Sequence, residues 1–337
     1  MTFKVGVLSQ LSVDLDLAFT NAYFRAKTLG EKNNVKTLAH KQFLDEVEGF
    51  VDAQLASGWK AKVAGAYVDT HPRVHFKSTD RTGAEIEIGD ILFCKTVHPL
   101  GVERPDEGRA WLVQAKSTAD QQPAPPPITG ASQGPHQHEF SLLWPRFRIP
   151  PAKAKFNVRI DVADLDLPAL EWWAAAWNDP SNTPPAAGYW SGVPWITCDA
   201  SGNGYQTFGS ALANFLSDSV SVGHDYDFNL RSQSSDKGWS ALVSALLEYC
   251  RDRKVKPGHD AAYGTDHVPR IAVSSWLMRW AQSPRFDTLV DIRIKEANGA
   301  PGPYFDFDRA VAGMHDGAEE HRGFLLVHVY LVQLAST

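Results

Sequence analysis

The chain has 337 residues, of which 43% are hydrophobic and 21% charged, a composition typical of a globular protein long enough for two domains. The net charge of −6 argues against a protein that coats nucleic acid, and the three cysteines lack the spacing of a zinc site or a disulfide framework. The first residues do not resemble a signal peptide and no apolar run reaches membrane-spanning length, so we expect a cytoplasmic protein without membrane contact.

The segment 40–56 is the clearest helix in the first part of the chain, because its apolar residues recur at close to helical spacing. Glu46 and Glu48 flank this apolar stripe on opposite sides, where either carboxylate can reach over the edge of a sheet. Other elements predicted before residue 80 are a strand over 3–8, a helix over 15–28 and a hairpin formed by 59–67 and 73–76.

Polar residues occupy unexpected places in the next two predicted strands, 84–97 and 109–118. Asp90 follows a glycine and precedes an apolar run. Gln114 and Lys116 lie two residues apart, so they project from one face of their strand while apolar residues project from the other. We therefore expect a carboxylate, an amide and an ammonium group to meet at the ends of two neighbouring strands.

Such a grouping suits the hydrolysis of phosphodiesters. A Mg²⁺ ion held by carboxylate or carbonyl oxygens polarises a phosphate and generates hydroxide, and a lysine supplies a positive charge beside the reacting atoms. The stretch 85–118 resembles the PD-(D/E)XK nuclease superfamily, in the glutamine-containing variant found in Mrr-like restriction endonucleases. Asp90 matches the metal-binding acid of that family, and Gln114-Ala115-Lys116 matches its glutamine-x-lysine element.

The resemblance extends over about residues 41–160 and implies an α+β fold with a restriction-endonuclease-like αβββαβ core. It also implies that Asp90, Gln114 and Lys116 are catalytic and that Asp90 and Gln114 bind Mg²⁺ or Mn²⁺. Relatives with the glutamine often carry an additional glutamate on the preceding helix. The distance in sequence to a Gly-Trp pair favours Glu48 as this catalytic, metal-binding acid, with Glu46 as the alternative.

A basic strip follows the predicted site. The segment 141–160 contains basic residues and no acidic ones, with aromatic residues between them. Its candidate phosphate-binding residues are Arg146, Arg148, Lys153 and Lys155, which makes nucleic acid the expected partner, DNA in preference to RNA. A solvated basic face is the alternative interpretation.

The expected domains are residues 1–119 as the N-terminal part of the core, 120–137 as a Pro/Gly-rich loop or linker, 138–162 as the rest of the core, and 163–337 as an additional C-terminal α+β region with a recognition or partner role. Elements predicted in that region are helices over 167–177, 208–216 and 239–251, an extended segment over 189–198, and strands over 290–295 and 324–334 that pair antiparallel.

The resemblance implies a metal-dependent endonuclease with a role in bacterial anti-phage defence, such as restriction. The alternative is a catalytically inactive nuclease fold that serves as a binding or assembly module with a partner protein or as an oligomer. An unrelated α+β protein with an accidental motif is a third alternative. Binding of Mg²⁺ or Mn²⁺ separates the first two, because an inactive core would not hold the ion.

Overall fold

The structure is a computed structural model that describes residues 2–26, 30–38, 41–68, 73–78, 83–99, 107–121, 134–149, 158–160, 171–179, 183–219, 221–227, 238–252 and 324–333. The described helices are α1 (Leu8–Arg25), α2 (Glu31–Thr37), α3 (Lys41–Gln54), α4 (Gly134–Leu143), α5 (Phe208–Leu216) and α6 (Trp239–Asp252). The described strands are β1 (Trp59–Val68), β2 (Arg73–Lys77), β3 (Gly83–Glu87), β4 (Ile91–His98), β5 (Glu107–Thr118), β6 (Phe147–Ile149), β7 (Val158–Ile160), β8 (Glu171–Trp177), β9 (Trp195–Asp199), β10 (Gln206–Thr207), β11 (His224–Asp227) and β12 (Phe324–Gln333).

A mixed sheet organises the molecule, with the strand order β1-β12-β4-β5-β8-β9-β10. Strand β4 pairs antiparallel with β5, while β8 pairs parallel with β5 on its other edge, which β11 also occupies near the start of β5. Parallel neighbours require a crossover connection, and α4 lies in the chain between β5 and β8. The predicted α+β class is confirmed at the level of a mixed central sheet with helices.

Two hydrophobic cores cover the two faces of this sheet. One core contains residues of α1, α3 and α5, and the other contains residues of α4, α6 and a second sheet with the order β3-β2-β6-β7. Strand β5 contributes to both cores, since Trp111, Val113 and Ala115 pack into the first while Ala110 and Leu112 pack into the second. This alternation agrees with the period-two pattern of its sequence.

The C-terminal strand β12 lies inside the main sheet. It pairs antiparallel with β1 along one edge and parallel with β4 along the other, so both edges are used. The predicted pairing of 324–334 with 290–295 is therefore wrong, and residues 290–295 lie outside the described part of the chain. Together with β8 and β9, β12 belongs to the same sheet as β4 and β5 rather than to a separate C-terminal layer.

The tryptophan-rich segment 167–177 was predicted to be a helix, but Glu171–Trp177 is strand β8 and every one of its residues is buried. Strands buried on both faces read as continuous apolar runs, and such a run has no periodicity to separate a strand from a buried helix. The helices predicted over 40–56, 208–216 and 239–251 are confirmed in α3, α5 and α6.

In the N-terminal region, too, the strands pair differently from the prediction. Strands β1 and β2 do not form the expected hairpin, because β1 pairs with β12 whereas β2 pairs with β3 and β6. The expected strand over 3–8 is reduced to one bridge between Phe3 and Leu55 before α1 begins. In the described residues no helix is long and apolar enough to cross a membrane.

Close packing of α1 against α5 provides a test of this arrangement. A Cβ atom added to Gly209 would lie 2.4 Å from the Asp16 backbone nitrogen and 2.6 Å from the Ser12 carbonyl oxygen. Neither backbone atom can rotate away, so we expect Gly209→Ala to lower the free energy of unfolding by roughly 1–3 kcal/mol, measured by denaturant titration.

Gly49→Ala is the matched control, because Gly49 lies in α3 with no atom within 4 Å of an added Cβ. There the alanine should gain about 0.5–1 kcal/mol from its higher helix propensity. If both variants had equal stability, the α1–α5 contact would not be as tight as described.

Candidate active site

Asp90 lies where the chain passes from the second sheet to the main sheet. The preceding Gly89 has a φ of +154°, and a Cβ there would come within 2.9 Å of Leu112 Cγ, so only glycine fits this crossing. The Asp90 backbone N–H donates to the Val113 carbonyl at 2.9 Å, and its carbonyl accepts from the Leu325 N–H at 2.8 Å. Neighbouring strands on both sides thus hold this residue at the start of β4.

The Asp90 carboxylate contacts β5 directly. Its Oδ2 atom accepts a hydrogen bond from the Ala115 backbone N–H at 2.7 Å and another from the Gln114 side-chain amide. The side chains are deeply buried, with Asp90 2% exposed and Gln114 1% exposed. The acid and the amide that the sequence suggested would meet are therefore in contact.

Lys116 is also buried, at 6% exposure. Its Nζ atom lies 3.3 Å from both Oε1 and Oε2 of Glu31, which is the first residue of α2. The positive charge of Lys116 acts on Asp90, lowering the pKa of that carboxyl against the effect of burial. All three predicted residues Asp90, Gln114 and Lys116 consequently belong to one buried cluster.

A further acid, Glu171, belongs to the same cluster. It is the first residue of β8, pairs in register with Leu112 of β5 and is 3% exposed. Its Oε2 atom has no hydrogen-bond partner among the described residues. Burial raises the pKa of Glu171 well above its ordinary value, the charge of Asp90 raises it further, and Lys116 opposes both effects.

The cluster holds more acidic than basic charge. Burial raises the pKa of Asp90 well above its ordinary value; Lys116 opposes this rise, while the charges of Glu31 and Glu87 add to it. The cost of burying such carboxylate charges is removed when a carboxylate takes up a proton or when a cation binds beside it. Oxygen donors from one or two carboxylates and an amide are the type of ligand that Mg²⁺ accepts, with water completing its coordination.

Among the described residues, no group of three His, Cys, Asp or Glu side chains is arranged to hold a metal ion by itself. A cation bound at Asp90 would therefore depend on amide and water oxygens as well as on carboxylates. The donor set fits a partly hydrated Mg²⁺ ion better than a site closed by protein ligands alone.

Comparison with known proteins adds no assignment. No family model, curated protein or solved structure gives a significant match to this chain. What the site can do follows from its own geometry.

The helix acid predicted from sequence is not part of the cluster. Glu48 accepts hydrogen bonds from Lys62 Nζ at 2.8 Å and from the Val63 backbone N–H at 2.9 Å, both on β1. Strand β12 separates β1 from β4, so Glu48 is two strands away from the strand that follows Asp90. The alternative, Glu46, accepts from Arg25 of α1 at 3.1 Å.

Two acids of the cluster escaped sequence reasoning. Glu31 lies in a short helix that carries no motif, and its one sequence signal is its place directly after Gly30, at a helix start where acidic residues are favoured. Glu171 was hidden by the mistaken helix over 167–177. As a glutamate that opens an otherwise apolar run, it is the kind of buried charge that usually has a partner or a function.

The basic strip is only partly described. Arg146 is exposed, directly before β6, and Arg148 lies within β6, opposite His75 of β2 in the second sheet. Lys153 and Lys155 lie outside the described residues.

The raised pKa of Asp90 predicts how stability depends on pH. An acid whose pKa is higher in the folded than in the unfolded chain makes stability fall as pH rises from about 4 through the folded pKa. Without metal, Asp90→Asn should therefore raise the melting temperature by a few degrees at pH 8, and this gain should shrink towards pH 4. The carbonyl oxygen of asparagine can still accept both hydrogen bonds, because the Ala115 N–H and the Gln114 amide donate to the same oxygen of Asp90.

Asp52→Asn is the control, because Asp52 also accepts a strand N–H, from Ala61 at 2.9 Å, but its side chain is 28% exposed and paired with Lys60. It should give no stability gain at pH 8. Thermal melts in EDTA measure both melting temperatures. If Asp90→Asn and Asp52→Asn lowered the melting temperature equally, the charged form of Asp90 would stabilise the fold.

Proposed function

We propose that this protein is a metal-dependent nuclease that hydrolyses phosphodiester bonds, with DNA as its substrate. The observation that carries the proposal is the buried contact between Asp90 and Gln114 on adjacent strands, with Lys116 following two residues later on β5. A strand that served only for packing would not be expected to bury an acid, an amide and an ammonium together. Each of these groups costs free energy when buried unless it has a hydrogen-bond or charge partner.

The order of elements around the site supports a restriction-endonuclease-like core. Helix α3 precedes β1, β4 and β5 then run antiparallel, and α4 leads to β8, which is parallel to β5. This succession corresponds to the αβββαβ order that the sequence resemblance implies. Three departures accompany it among the described elements: β12 lies between β1 and β4, β2 and β3 belong to the second sheet, and β6 and β7 of that second sheet come between α4 and β8.

Each residue has a distinct chemical part in this proposal. Asp90 and Gln114 would hold a Mg²⁺ or Mn²⁺ ion, which when bound polarises the phosphate and lowers the pKa of water. The Ala115 N–H fixes the Asp90 carboxylate, so its direction does not depend on the ion. Lys116, oriented by Glu31, offers a buried positive charge to the phosphate oxygens as negative charge develops on them.

The substrate and the biological setting follow from weaker observations. The exposed Arg146 and the basic residues after it favour a polyanion, and the resemblance makes DNA the first choice and anti-phage defence the setting. A cytoplasmic location would suit such a role. An inactive binding or assembly module remains the competing proposal, and the cleavage experiment decides between them.

The decisive experiment is cleavage of circular DNA, linear DNA and RNA in Mg²⁺ or Mn²⁺. We expect wild-type protein to cut DNA. We expect Lys116→Ala and Asp90→Asn to lower the cleavage rate at least about 10²-fold, which is the usual effect of removing a group that stabilises charge in the transition state of an enzyme. Lys62→Ala is the matched control, since Lys62 is likewise a strand lysine paired with a helix glutamate, Glu48, at 2.8 Å.

Lys62→Ala should cut at the wild-type rate. If Lys116→Ala and Asp90→Asn cut as fast as Lys62→Ala, the cluster would not be the active site. If wild-type protein cut none of the three substrates and its melting temperature did not respond to Mn²⁺, the inactive module would replace the nuclease.

The basic strip gives a separate prediction for binding. Replacing Arg146 and Lys153 by alanine in the Asp90→Asn background should flatten the log–log salt dependence of duplex DNA affinity by about 1.8, because each lost phosphate contact removes about 0.9. Fluorescence anisotropy at several salt concentrations measures this slope. A control that replaces the exposed Lys4 and Lys60 changes net charge equally and should leave the slope unchanged. Equal slopes in both double variants would assign the strip to solvation or to a protein partner.

A further inference from the structure

Glu171 is a buried acid that has no role in the catalytic set proposed above, which consists of Asp90, Gln114 and Lys116. It is 3% exposed, and its Oε2 atom has no hydrogen-bond donor among the described residues. A buried carboxylate oxygen without a donor is costly, and native proteins keep such a group where an ion, a ligand or a reaction requires it.

Three adjacent strands bring Glu171 towards the other groups. Strand β5 lies in the middle, with Asp90 at the start of β4 on one side and Glu171 at the start of β8 on the other. Glu171 is in register with Leu112, two residues before Gln114, so both project from the same face of the sheet. The charges of Asp90 and Lys116 both act on Glu171, as expected for groups that share one site.

Glu31, another acid of the cluster, has a different part. Both carboxylate oxygens of Glu31 lie 3.3 Å from Lys116 Nζ, and its side chain is 26% exposed. Glu31 is therefore already paired with the ammonium and positions it. Glu171 takes part in no ion pair that the described residues show, and its Oε2 atom lacks a donor, so a cation could use this acid without breaking such a pair.

We propose that Glu171 supplies the second carboxylate of a divalent-cation site whose other carboxylate is Asp90. The inference rests on the proposed nuclease function and deepens it. With Gln114 in place of an acid, Asp90 alone offers one negative charge to a doubly charged ion, and Glu171 supplies the missing charge from the opposite side of β5. Hard cations bind oxygen sites more tightly as ligand charge rises, so the expected ligand is Mg²⁺ or Mn²⁺.

Mn²⁺ alone, without nucleic acid, tests this assignment. Binding to wild-type protein, Glu171→Gln, Asp90→Asn and Glu48→Gln is followed by electron paramagnetic resonance of free Mn²⁺ and by the cation-induced rise in melting temperature. We expect Glu171→Gln and Asp90→Asn each to weaken Mn²⁺ binding at least about 10-fold. In both variants Mn²⁺ should also raise the melting temperature much less than it does in wild-type protein. Glu48→Gln, the matched helix glutamate outside the cluster, should bind Mn²⁺ as wild type does.

Glutamine has nearly the shape of glutamate and removes a buried charge, so Glu171→Gln should fold; its melting temperature in EDTA at pH 8 should be at or above that of wild type. Mn²⁺ binding by Glu171→Gln at wild-type strength, with loss in Asp90→Asn, would overturn the role of Glu171 and leave the nuclease proposal standing. If wild-type protein bound no Mn²⁺, both proposals would be overturned.

Discussion

The hydrogen bond from the Ala115 backbone N–H to the Asp90 carboxylate is the contact on which the site depends. Strand β4 begins one residue after Asp90, so the carboxylate continues the pairing with β5 at the point where the backbone ladder ends. This ties the direction of the acid to the strand that carries Gln114 and Lys116. The backbone of β5 thereby fixes the direction of the Asp90 carboxylate.

Charge balance is the second constraint. Strand β5 is buried from Gly108 to Lys116, so the polar side chains in that part must find their partners inside the protein. The positive charge of Lys116 offsets part of the negative charge of the cluster, and Lys116 also forms an ion pair with Glu31. Burial raises the pKa of Asp90 and of Glu171, and the excess of acidic groups around them raises both further. A protein under selection for stability alone would replace such a group by apolar residues, and its presence therefore favours a function.

Local patterns allowed a good part of this arrangement to be predicted from the sequence. The period of two in β5 placed Gln114 and Lys116 on one face, and helical spacing identified α3 and α5. Contacts that link distant segments left no local trace: nothing near residue 324 indicates that β12 separates β1 from β4. The same limit applies to the helix acids, because Glu48 contacts β1 and Glu31 contacts Lys116 of β5, and no local pattern shows which strand each one meets.

The place of β12 has a consequence for the order of events during synthesis. Its Leu325 N–H bonds the Asp90 carbonyl, and it fills the space between β1 and β4, yet it is translated after every other described element. Until residues 324–333 have been made and have emerged from the ribosome, the edges of β1 and β4 that face β12 lack this partner, and open edges invite association with other strands. The segment that carries Asp90 also stays unanchored on one side during that time. The cluster around Asp90 would therefore reach its final arrangement only after β12 has joined the sheet.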